Sequence, residues 1–146
     1  MAHLWFYYAL SASVIWGISY AFTDRLLQQG VSISLLMLIE AALILPTAVA
    51  LSIKLSPFKG VDVIFSNPRV FLMAVFVALT AVAGGALILL SITEKNATLA
   101  SFIEISYPLF VFIFSMIFFK DVQLNMGTAL GACLIMAGIA TIYFKG

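Results

Sequence analysis

Two glutamates carry most of the chemistry this sequence has to offer. Of its acidic residues, only Glu40 and Glu104 fall inside long apolar runs, and neither run contains a Lys or Arg. A carboxylate in hydrocarbon is costly unless it is paired or hydrated. The low dielectric therefore favours the protonated form, and both groups are expected to stay neutral, to exchange protons or to hold a cation. The competing reading is a neutral glutamic acid, hydrogen-bonded to a serine, tyrosine or carbonyl, that serves as packing glue. Little else is reactive. His3 is the single histidine and Cys133 the single cysteine, so a disulfide within the chain, a zinc cluster and a Ser-His-Asp set are all excluded. There is no Walker loop, Rossmann glycine fingerprint or HExxH. No enzyme activity, cofactor or metal is expected. The net charge of +1 without a basic patch also removes nucleic acid as a partner.

The elements that must position these glutamates follow from composition. The chain is 64% hydrophobic and 9% charged, with a mean hydropathy of +1.21, too few charges to cover a solvated surface. It reads as an all-α polytopic membrane protein whose first partner is the lipid bilayer. A helix crossing about 30 Å of hydrocarbon needs roughly 20 apolar residues. Five runs qualify, at about residues 4–23, 33–53, 70–92, 97–119 and 124–144, forming one domain over 1–146. Glycines make the fifth the weakest of them. Strands would alternate in polarity, and these runs do not. The first run lacks the charged start and cleavage site of a secretion signal, so it is read as a mature helix. The connection 55–69 carries Phe58, Lys59, Asp62 and Phe65 and suits a short amphipathic piece at the interface.

An odd number of spans puts the termini on opposite sides. Lys54, Lys59, Arg69 and Lys120 then share the N-terminal side, against Arg25, Lys95 and Lys145 on the other. That weak bias permits a chain inserted in either orientation.

Both glutamates lie about seven residues in from the side opposite the N-terminus, roughly 10 Å deep at 1.5 Å per residue. Trp16 reaches a similar depth and Tyr20 lies a turn shallower. Ser101, Glu104, Pro108, Val111 and Ser115 follow helical spacing on the fourth run, with Tyr107 beside them. Ser13, Trp16, Gly17, Tyr20 and Asp24 form a similar stripe on the first. These are interior or cavity faces, although Trp16 and Tyr20 also suit interfacial anchoring. Pro46 and Pro108 fall within helices. Pro108 frees the carbonyl of Glu104 and would mark a hinge there. Gly127, Gly131 and Gly138 on the fifth run, like Ala74, Ala78, Ala81, Gly84 and Gly85 on the third, favour helix packing, within the chain or between chains.

The order of these features resembles one EamA repeat of the drug/metabolite transporter superfamily, over essentially the whole length. The resemblance is carried by SVIWGISYAF, then ATLASFIEISYPLFVFIFSMIFFKDV, then LNMGTALGACLIMAGIATIYF. The small residues Ala97 and Ala100, the mid-helix Pro108, the acidic Asp121, and Gly131 and Gly138 match the family pattern. Two departures stand out: Glu40 lies near a position where members often carry arginine, and Lys120 stands where they often carry glycine.

The resemblance implies one half of an inverted-repeat transporter fold, since full-length relatives hold two opposed repeats around a central cavity. It favours Glu104, Trp16 and Tyr20 as cavity residues over Glu40. Together with the residue pattern it gives a secondary transporter of a small organic metabolite or cation, working by proton exchange at Glu104 with Tyr107 and Ser101 also lining the site; the export direction is what the resemblance alone implies. The missing half would come from a homodimer partner, antiparallel or parallel, or from a related chain in a heteromer. The alternative is a non-transporting assembly or scaffold subunit, or a flippase-type partner subunit. A prokaryotic cytoplasmic membrane is the expected location.

Overall fold

The structure is a computed structural model that describes residues 4–55, 58–120 and 125–145. His3, Pro57, Asp121 and Leu124 lie outside the described residues. Among the described residues every regular element is helical. These are α1 (Leu4–Gln28), α2 (Ile33–Leu55), α3 (Val61–Ser66), α4 (Pro68–Glu94), α5 (Ala97–Glu104), α6 (Tyr107–Phe114) with a π-helical turn at Ser115–Phe119, and α7 (Met126–Lys145). Helix is the form that satisfies backbone groups without water. Hydroxyls are treated in the same way: Ser13, Thr47, Thr80, Thr93 and Thr141 each donate to the carbonyl four residues back.

Among the described residues four stretches are long and apolar enough to span a membrane: α2, α4, Ala97–Phe119 taken together, and α7. The shortfall is therefore not in the glycine-bearing α7. It is in α1, whose 25 residues suffice in length but include Tyr7, Tyr8, Trp16, Tyr20, Ser11, Ser13 and Ser19, which dilute its apolar character. Within the connection 55–69 the structure has a short helix, α3, six residues long.

The chain divides into two compact units, Met1–Asp24 with Glu94–Gly146, and Arg25–Thr93. In the first, the buried residues are Thr23 near the end of α1 and Ala97 and Ala100 at the start of α5. In the second they are Leu36 at the start of α2 and Leu89 and Ile92 near the end of α4. Most large apolar side chains are exposed, Leu45 at 70% and Phe22 at 69% among them. In water such a surface would aggregate; in a bilayer, lipid tails solvate it and leave helix association to close packing and hydrogen bonds.

Helix ends are set locally. Gly30 has φ +89, Val31 N–H donates to Leu26 O at 3.1 Å, and Gly30 N–H donates to Leu27 O at 3.0 Å. This is a Schellman close, which needs the left-handed conformation that glycine adopts freely. Ser32 Oγ accepts from Leu35 N–H at the start of α2, and Asn96 Oδ1 accepts from Leu99 N–H at the start of α5. Asn125 and Thr128 cap α7 reciprocally: Thr128 N–H donates to Asn125 Oδ1 at 2.9 Å and Asn125 N–H to Thr128 Oγ1 at 2.8 Å. A Cβ added at Gly127 would lie 3.3 Å from Asn125 Oδ1. That glycine therefore has a local reason to be small. At Gly17, Gly131 and Gly138 an added Cβ meets nothing within 4 Å, so no close approach among the described residues requires them.

Candidate functional site

Glu104 is the last residue of α5, and the sequence explains why the helix stops there. Pro108 has no N–H to offer the Glu104 carbonyl. Ile105 N–H still reaches Ser101 O at 3.1 Å, but Ser106 N–H turns to Ile103 O and Leu109 N–H to Ser106 O, at 3.1 and 3.0 Å. These tighter bonds cross the gap, and α6 resumes at Tyr107. The fourth run is thus a helix broken beside its carboxylate rather than one smooth span.

Tyr20, on α1, donates its hydroxyl to both oxygens of Glu104, at 3.0 Å to Oε1 and 2.8 Å to Oε2. Both residues are half-buried. One turn earlier on α1, Trp16 meets the Tyr20 ring edge-on, with centroids 5.7 Å apart and planes at 61°. Around this pair opens a cleft of about 480 Å³. Ser13, Trp16, Gly17 and Tyr20 line it from α1, Ser101, Phe102 and Glu104 from α5, Ile105 from the turn and Tyr107 from α6. Ligand sites for small organic molecules commonly enclose about 300–1,000 Å³, so a small solute fits. Trp16 and Tyr107 are 59% and 61% exposed. The cleft is open on that side.

Five of the expected site residues, Glu104, Trp16, Tyr20, Tyr107 and Ser101, thus meet at one place. Ser101 is half-buried, its hydroxyl donating to Thr98 O at 3.0 Å. Glu40 is not among the lining residues; it is exposed on α2, in the other unit. Pro108 lines a separate apolar groove of about 340 Å³, together with Val111 and residues of α7 that include Thr128 and Gly131. Phe102 and Ile105 were not anticipated: Ile105 lies four residues after Ser101 on the same stagger and Phe102 beside it, but as apolar residues in an apolar run neither carried a signal in the sequence.

The profile of the EamA-like transporter family matches residues 3–144. The chain belongs to the EamA-like transporter family. No curated protein and no solved structure matches it. One EamA domain accounts for essentially the whole chain, and with its apolar spans it is an integral membrane protein of a transporter family. Lys120 is informative in this light. It closes the π-helical turn with φ 55 and ψ 27, a left-handed conformation that L side chains adopt at a cost. A glycine would adopt it freely.

Proposed function

We propose that this EamA chain is half of a secondary transporter for a small organic solute, driven by proton exchange at Glu104. The observation that carries the reading is the Tyr20–Glu104 pair within an open, aromatic-walled cleft. A half-buried carboxylate held by a neutral hydroxyl, with no cation among the lining residues, is able to take up and release a proton as a solute leaves and arrives. Energy then comes from an ion gradient, since the sequence offers no nucleotide-binding motif.

In this reading the chain forms one five-helix domain, with α1 as the fifth span, held in the bilayer by packing rather than by its own apolarity. The exposed side of the cleft, at Trp16 and Tyr107, is closed by a second five-helix unit. A partner in the opposite orientation suits the weak charge bias between the two sides, and a related chain serves equally well. The membrane is a prokaryotic cytoplasmic one, and export is the direction.

Purified chain in vesicles with an internal pH dye tests the assignment. A panel of small organic solutes is added under an imposed pH gradient. At least one solute is expected to collapse the gradient faster through wild-type protein, while Glu104→Gln gives only the leak of empty vesicles. Collapse by Glu104→Gln at the wild-type rate would reduce the carboxylate to packing and favour the scaffold role.

A further inference from the structure

The cleft also carries information about which solute it takes. We propose that its ligand is a monovalent organic cation, an ammonium with an apolar body, held between the Glu104 carboxylate and the rings of Trp16 and Tyr107. The inference rests on the reading of this cleft as the substrate site and narrows the solute to one charge class.

The charged side chains lining the cleft have one sign. Glu104 is the sole acidic residue among them, and no Lys, Arg or His is present to neutralise it. Tyr20 satisfies the carboxylate oxygens with a hydroxyl, which stabilises the charge without cancelling it. The end of α5 and the start of α6 meet at this point, so their opposed dipoles add no net sign. Pro108 cannot supply the N–H that an unbroken helix would aim at the Glu104 carbonyl.

The walls are aromatic and come from separate elements, Trp16 and Tyr20 from α1 and Tyr107 from α6. Trp16 and Tyr107 remain more than half exposed. Ring faces attract ammonium groups through their quadrupole, most strongly where water is scarce. An anion would meet the carboxylate with nothing to offset the repulsion. A zwitterion would gain at its ammonium and lose at its carboxylate. A neutral solute would gain only apolar contact. The organic cation alone uses both the carboxylate and the rings.

Choline and two compounds of nearly the same shape separate charge from size. Dimethylbutanol replaces the ammonium nitrogen with carbon, and dimethylbutanoate carries a negative charge. Binding to the full chain in detergent is followed by calorimetry. Choline is expected to bind about tenfold more tightly than dimethylbutanol, from two exposed cation–ring contacts and one carboxylate contact together, and dimethylbutanoate not to bind. Glu104→Gln should remove the preference. Trp16→Leu should weaken choline several-fold with unchanged helicity, and Asp62→Asn, on α3, should leave it intact.

Equal affinity of wild-type protein for choline and dimethylbutanol overturns the proposal, and that comparison needs no variant to fold. Transport provides the second arm. Glu104-dependent choline binding with no choline flux in vesicles would defeat the transporter reading and leave the ligand class standing. Glu104-dependent flux of a neutral or anionic solute that choline does not inhibit would do the reverse.

Discussion

Tyr20 and Glu104 stand 84 residues apart, and their hydrogen bonds tie α1 to the end of α5. Neither partner is fully buried, so the link is worth about as much as a hydrogen bond to a charged group, roughly 1.5–3 kcal/mol before screening. Tyr20→Phe keeps the ring that meets Trp16 and removes only the donor. Gradient-driven solute uptake is expected to fall about tenfold with helicity unchanged, whereas Tyr20→Ala should also lower the melting temperature because it loses the ring contact. Uptake at the wild-type rate in Tyr20→Phe would show that the hydroxyl plays no part in holding the carboxylate. At this scale the sequence was most readable: charge inside an apolar run marked Glu104, and helical spacing marked Trp16 and Tyr20. The hydrogen bond itself was not readable, because spacing within a helix carries nothing about which residue faces it from another.

Among the elements, those with a local cause were foreseeable. Apolar runs located α2, α4, Ala97–Phe119 and α7 to within a few residues, and Pro108 marked the place where the fourth run breaks. The π-helical turn at Ser115–Phe119 was hidden, since its five residues are as apolar as those before them. The left-handed backbone at Lys120, which closes the turn, was equally hidden. The side chain of Lys120 is exposed, and the left-handed conformation costs an L residue roughly 1–2 kcal/mol. Lys120→Gly should therefore stabilise the chain by about 1 kcal/mol after the entropy that glycine loses on folding. Thermal melting in detergent, followed by circular dichroism, should show a rise of a few degrees. A fall would mean that the lysine makes an interaction outweighing its backbone strain.

For the whole molecule the decisive property is how little each chain buries. Glycines on α7 were expected at close helix contacts, yet Gly138 is exposed and a Cβ there meets nothing within 4 Å. Pattern identifies a face fit for close approach but not the chain that occupies it. If α7 forms the seam with a second unit, Gly138→Leu has two effects of opposite sign. Helix propensity should strengthen α7 slightly, by about 0.8 kcal/mol, while the added bulk holds the partner off. Light scattering in detergent should then report a shift from dimer to monomer with no loss of helicity. An unchanged dimer would remove α7 from the seam.

One consequence for biogenesis follows from α1. The residues that make it the least apolar of the long helices, Ser13, Trp16 and Tyr20 among them, are the residues that line the cleft. If the proposed cleft binds its solute, the binding wall and the poorest membrane anchor are one and the same helix. A nascent α1 then holds lipid more weakly than the more apolar α2, and its insertion is expected to be cooperative with α2, synthesised directly after the turn at Gly30.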